Sequence, residues 1–191
     1  MRQSRISELP VLALVLLMAC GPKPQVYFKE QVSFRPSKTI AILPFNNYSG
    51  QEDAGKQVSN MFLVELLKKP YFELIEPGEI DKIMREERIR SSEQIDFATA
   101  KIFKEKLKAD YILIGAVNEY SYLTKSIREI PLVSFSVRLL DTESGQIIWA
   151  ASHSRKGDDV ELIFGWRLVK SLSKLAQISV SQVAEQIRVE H

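Results

Sequence analysis

The chain is expected to fold as an α/β (α+β) domain: a mixed sheet of about five strands, flanked by helices and closed by a long C-terminal helix. Three patterns predict it. TIAILPF (Thr39 to Phe45) and DYILIGAVNEY (Asp110 to Tyr120) are nearly continuous apolar runs, as strands buried on both faces are. Two later runs alternate apolar with polar residues and so describe strands with one wet face. The intervening and final stretches repeat apolar residues at helical spacing.

In chain order, TIAILPF is the first strand of the domain. A helix over about Glu52 to Lys69 follows, with Ala54, Val58, Met61, Phe62 and Leu66 on its inner side; it ends on Lys68 and Lys69 before Pro70. YFELIE (Tyr71 to Glu76) is a second, short strand, and Pro77 opens a helix with Ile80, Ile83 and Met84 on one face. A third helix, about Gln94 to Lys108, buries Ile95, Ile102, Phe103 and Leu107. Asp110 to Tyr120 is the third strand; Val133, Phe135, Val137 and Leu139 mark the fourth; Ile147, Trp149 and Ala151 mark the fifth, after a turn at DTESG (Asp141 to Gly145). Asp158-Asp-Val-Glu161 reads as a capping box that starts the last helix, whose stripe runs through Leu162, Trp166, Val169, Leu172, Ala176, Val180, Val183 and Ile187. The first two strands are then parallel through a crossover helix, and the last three form an antiparallel meander.

The N-terminus follows other rules. Arg2 and Arg5 precede nine apolar residues, VLALVLLMA. A membrane-spanning helix needs about twenty, so the run fits the hydrophobic region of a secretory signal. It ends in Leu17-Met-Ala19-Cys20, which resembles a bacterial lipobox. That resemblance implies cleavage after Ala19, with diacylglycerol on the Cys20 sulfur and an acyl chain on its amino group. The expected organisation is a signal at 1–19, a lipidated Cys20 with a tether at 20–38, and one periplasmic domain at 39–191. Cys20 is the only cysteine, so the fold has no disulfide to rely on. Removing 1–19 takes Arg2, Arg5 and Glu8 from 26 basic and 24 acidic side chains, leaving 24 and 23. That balance exerts no general pull on nucleic acid.

GQEDAGKQ (Gly50 to Gln57) lies one residue short of a phosphate-binding loop, with Gln57 where a Ser or Thr would hold Mg²⁺. Glu52 and Asp53 would set two carboxylates against the phosphates. The plainer reading is a helix start stabilised by those acids, and no nucleotide is expected. No metal or other cofactor is expected either: His153 is the only internal histidine, and no Cys ligands join it. Glu86-Glu87 reads as a solvated helix face. Lys101, Lys104 and Lys108 share one side of their helix, as a wet face or as a surface toward anionic polymer. Val180, Val183 and Ile187 likewise admit two readings, core packing or a stripe offered to a partner.

The series IAILPFNNYSG, YFELIEPGEIDKIMREE, LKADYILIGAVNEYSY and VRLLDTESGQIIWAAS is similar to the curli-secretion (CsgG-like) lipoprotein family and its relatives, over about Thr39 to Ser154. The relatives include outer-membrane lipoproteins that activate penicillin-binding proteins. The resemblance implies a non-enzymatic outer-membrane lipoprotein, facing the periplasm, that works by self-association or by touching a protein partner. The expected role is an accessory or assembly factor in secretion, of the curli type, or in envelope biogenesis; activation of a penicillin-binding protein is the alternative. Gly21 after the cysteine leans toward outer-membrane sorting by resemblance. A ring-forming channel subunit is a further alternative. It would send hairpins from Ser121 to Ile130 and from Ser154 to Asp159, ten and six residues. A hairpin that crosses a bilayer needs roughly twenty.

Overall fold

A computed structural model describes residues 21–29, 37–125, 127–159 and 168–187. Among these residues seven strands make one sheet: β1 (Gln25–Phe28), β2 (Lys38–Ile42), β3 (Asn46–Asn47), β4 (Phe72–Leu74), β5 (Tyr111–Lys125), β6 (Arg128–Asp141) and β7 (Ile147–Lys156). Four helices are α1 (Ala54–Leu67), α2 (Pro77–Glu86), α3 (Phe97–Leu107) and α4 (Leu172–Ala184). The strand order is β1-β7-β6-β5-β2-β4, with β3 beside β5. As expected, β2 and β4 are parallel across α1, and β5, β6 and β7 form the antiparallel meander. β2 also pairs in parallel with β5, which places it between two parallel neighbours and explains why both its faces are apolar.

The helices divide between the two faces. α1 and α4 cover one, packing Val58, Phe62, Leu66, Leu175 and Val180 against Ile40, Phe135 and Trp149. Phe62 is the pivot, with its ring 5.5 Å from Phe45 and edge-on to Phe135 at 5.7 Å. α2 and α3 cover the other face around Ile80, Phe103, Ile112 and Leu140. Local chemistry fixes their ends. The Glu76 carboxylate accepts from the N–H groups of Gly78 and Glu79 ahead of Pro77, and Asp96 accepts from Thr99 at the start of α3. Asp141 organises the expected turn by accepting from the N–H groups of Glu143 and Ser144, while Gly145 takes a positive φ of 69°.

Four expectations change. The sheet has seven strands rather than about five, because β1 and the short β3 pair with strands far away in sequence. β1 lies within the stretch expected to be tether: Gln25 to Phe28 pair antiparallel with Ser152 to Trp149 on β7. Val26 is thereby packed against the core. The last helix starts late, since Ser171 caps α4 by accepting from the Lys174 N–H, whereas Asp159 accepts from the Lys156 N–H in the turn after β7. Leu162 and Trp166 fall outside the described residues, and Val169 precedes α4, its N–H donating to the Gly157 carbonyl. Finally, a register shift near Leu139 and Leu140 puts Ile148 beside Trp149 in the core and leaves Ile147 39% exposed.

Candidate interaction surfaces

The two glycines of GQEDAGKQ have structural duties. Gly50 turns the chain at φ 74°. Gly55, in the first turn of α1, lies so close to the end of β2 that a Cβ there would stand 2.1 Å from the Phe45 carbonyl oxygen. Gln57 accepts a hydrogen bond from the Tyr120 hydroxyl. Asp53 occupies the N-cap position but makes no side-chain cap bond, so the expected stabilisation of the helix start by that acid is not made through a hydrogen bond. Beyond β2, between α1 and α2, Ile42, Pro44, Lys56, Asn60, Ile80 and Asp81 line a crevice of about 160 Å³. That is small against the roughly 300 Å³ and upward of ligand pockets.

Other titratable groups are tied into the fold. Lys104 and Lys38 both reach Asp110 Oδ1, at 2.7 and 3.2 Å, and the Thr39 N–H donates to Oδ2. Burial works to raise the Asp110 carboxyl, but the hydrogen bonds from Lys104, Thr39 and Lys38 outweigh it and hold the group below its ordinary value. Lys101 lies over the Phe97 ring, and Lys108 donates to the Glu105 carbonyl. Glu86 and Glu87 both pair with Lys106. Lys101, Lys104 and Lys108 therefore make local contacts instead of a common basic surface. His153 is buried on the inner face of β7, edge-on to Phe135, with its Nε2 unbonded among the described residues. Beside it the Arg155 guanidinium donates to Gln182 of α4. Among the described residues no group of His, Cys, Asp or Glu is placed to hold a metal ion.

Val180, Val183 and Ile187 are fully buried. The partner-stripe reading of these three residues is corrected: α4 turns them onto the sheet and onto α1, where Gln177 also donates to Glu65 at 2.6 Å. Leu17, Ala19 and Cys20 lie outside the described residues. Among the described residues no helix is long and apolar enough to cross a membrane.

Two surfaces are left uncovered by the described residues. One is the outer face of β6, β7 and β1, where α2 and α3 do not reach. Ser136, Arg138, Ala150, Ser152, Gln25 and Tyr27 line a shallow groove there, with Ser134 and Ser154 continuing it. Ser134, Ser136, Ala150, Ser152 and Ser154 are small outward side chains between the inward Val133, Phe135, Val137, Trp149, Ala151 and His153, while Arg138 faces outward with them. The other surface is the end of the β5–β6 hairpin. The run Ser121 to Ile130, expected to be a connection, is strand almost throughout. Its pairing continues to Lys125 opposite Arg128, while β7 stops at Lys156 opposite Leu132. Past that level no strand among the described residues pairs with the hairpin, although the Leu172 N–H donates to the Tyr122 hydroxyl; Tyr122 is 47%, Leu123 39% and Ile127 99% exposed. At this same end the Val169 N–H donates to the Gly157 carbonyl. Sequence reading missed the tip because its apolar residues follow no period; the sole hint was that SYLTKSIREI contains no turn residue before Lys125-Ser126.

The family described as "Putative lipoprotein GNA1162-like" matches residues 28–190. No curated protein matches the chain. Among solved structures the chain is similar to the PelC dodecamer from Paraburkholderia phytofirmans, at 18% identity over 88% of this chain and 99% of that one, with a TM-score of 0.61. It is similar to lipoprotein GNA1162 from Neisseria meningitidis, at 16% identity over 78% and 99%, with a TM-score of 0.56. A third likeness is to the hypothetical protein CT253 from Chlamydia trachomatis, at 13% identity over 79% and 95%, with a TM-score of 0.54. At these identities the likeness is one of fold.

Proposed function

The chain belongs to the GNA1162-like family, and from that premise we propose that it is an outer-membrane lipoprotein, attached through lipid on Cys20 and facing the periplasm. It serves as a non-enzymatic accessory or assembly factor in secretion or envelope biogenesis, and it works through protein contacts, with copies of itself or with a partner. The observation that carries this reading is the open sheet face. A sheet of this kind buries one face against helices, and here α2 and α3 reach β6 at Leu140 and, among the described residues, nothing covers the groove across β6, β7 and β1. Small side chains at Ser136, Ala150 and Ser152 let another surface approach the strands closely, while Tyr27 and Arg138 offer the residue types enriched at interfaces. The dodecameric state of the PelC protein, which has this fold, supports self-association as the form such contact takes.

The alternatives ask for features that the geometry does not favour. Activation of a penicillin-binding protein calls for reach through the cell wall. Only Gly21 to Pro24 separate Cys20 from β1. A transmembrane channel calls for long hairpins, and the β5–β6 hairpin passes the end of β7 by only four residues on each strand, which is less than half of a bilayer-crossing strand of about 9–11.

A photo-crosslinking amino acid at Ser152, with Lys82 on the exposed side of α2 as control, tests the reading in cells. Adducts are expected at Ser152 and not at Lys82. Multiples of the chain's own mass mean self-association, and any other mass means a partner. Equal or absent crosslinking at the two positions would overturn the assignment of the open face.

A further inference from the structure

We propose that the free end of the β5–β6 hairpin is a second membrane contact, lying in the interface of the same bilayer that holds Cys20. The proposal rests on the anchoring reading above and adds an orientation to it. Its first ground is direction. β1 runs antiparallel to β7, with Gln25 opposite Ser152 and Phe28 opposite Trp149. β7 in turn runs toward Lys156, opposite Leu132, and so toward the hairpin end. The chain before Gln25 therefore leads toward the hairpin tip and away from the Asp141–Gly145 turn.

The second ground is length. Cys20 precedes Gln25 by five residues, which span at most about 17 Å when fully extended. Gln25 is level with Ser152 and hence with Ser136 on β6. Ile127 lies nine residues beyond Ser136 along that strand, about 30 Å at about 3.3 Å per residue. With the strands along the membrane normal, the tip would pass the level of Cys20 by about 13 Å. Only a tilt beyond about 55° would lift it clear, since the anchor is shorter than the overhang.

Chemistry is the third ground. Ile127 is 99% exposed at the turn, and Leu123 and Tyr122, on opposite faces of the hairpin, are 39% and 47% exposed, at a level where no strand among the described residues pairs with the hairpin. Tyrosine favours the headgroup level, and Arg128, next to the tip, is of a type whose stem can lie along apolar surface while its charge stays in water. Glu129, opposite Thr124, lies between Leu123 and the tip, and Asp158 and Asp159 line one hollow with Leu123, Thr124 and Ile130, so the part that enters the surface is the turn at Ile127. The tip is too short to cross a bilayer and long enough to enter its surface.

The test uses the absence of any cysteine besides Cys20, which lipidation caps. Ile127→Cys and, at the far end, Glu143→Cys are labelled with an environment-sensitive fluorophore in the lipidated protein. The protein is then reconstituted into vesicles of phosphatidylethanolamine and phosphatidylglycerol. The Ile127 label should shift to the blue and be quenched by spin-labelled lipid, while the Glu143 label does neither. A water-like Ile127 label in protein whose intact mass shows lipid on Cys20 would overturn the proposal. A blue shift that grows with protein concentration without vesicles would also overturn it, because a second copy would then cover the tip. Anchoring is read separately, by that intact mass. Should the mass show no lipid, the mature Cys20→Ala chain decides: it should bind these vesicles, with the bound fraction about tenfold lower for Ile127→Asp. No binding by that chain, together with an unshifted label, sinks the tip contact.

Discussion

Replacing Gly55 by alanine separates the two explanations of GQEDAGKQ by the sign of a stability change. Gly55 lies in the first turn of α1. In a helix with room around it, Gly→Ala stabilises by about 1 kcal/mol, since alanine has the better propensity and a less free unfolded state. Here the added Cβ would stand 2.1 Å from the Phe45 carbonyl oxygen and 3.5 Å from the Asn47 Cβ. Normal contact requires more than 3 Å, so α1 must withdraw from the end of β2 by about 1 Å. The obstacle is backbone and cannot swing aside. Phe45 and Phe62 are in ring contact across this junction, so the withdrawal loosens the core at its pivot. Overpacking of this sort costs roughly 1–3 kcal/mol, with more expected when backbone is struck. A net loss of about 2 kcal/mol is expected, equal to about 4–8 °C in Tm for a domain of this size. Urea unfolding of the mature chain, with Gly50→Ala as control, measures it. Gly50 has φ 74° and nothing within 4 Å of an added Cβ, so its replacement should cost about 1 kcal/mol from backbone strain alone. A Gly55→Ala chain as stable as the parent, or more stable, would refute the close-approach explanation.

Two further predictions concern the inner face of the sheet. Burial holds the His153 imidazole below its ordinary 6.5, with the nearby Arg155 charge adding to the effect and Gln182 and Asp159 opposing it. The unfolded chain then binds the proton more readily, so stability is full above about pH 6.5 and is lost as pH falls through the folded value; urea midpoints measured across pH 7 to 5 should decline in the parent and flatten in His153→Gln. Ser171→Ala should cost about 1 kcal/mol by removing the cap of α4, whereas Asp158→Ala should leave helix content unchanged, as circular dichroism and urea unfolding would register.

The β-α-β unit and the meander were legible because their signals are local. Ile40 to Leu43 and Tyr111 to Gly115 are buried on both faces as their runs suggest, whereas Pro44, Asn118 and Glu119 are exposed; the stripe of Ala54, Val58, Phe62 and Leu66 faces inward with no exposure. The helix at Pro77 was equally plain, since its proline and the preceding Glu76 satisfy the first turn by themselves. Less of the candidate surface was readable. Val180, Val183 and Ile187 looked the same in sequence whether they met a partner or the core, because an apolar stripe does not say what covers it.

Sequence alone determined the order of the main elements, the inward stripes of α1 and α2, the Asp141–Gly145 turn, and the lipobox-like approach to Cys20. Each depends on periodicity or on bonds among neighbouring residues. Tertiary structure decided the placement of β1, the start of α4, the need for Gly55 and the overhang of the hairpin. β1 has four residues and little pattern, and it is a strand only because the edge of β7 supplies hydrogen-bond partners. The overhang is a difference in length between β6 and β7, a relation between strands that no single segment encodes. Hydrogen bonds between distant residues and the close approach of two backbones are set by the assembled fold, which is why the surfaces proposed for function appear only there.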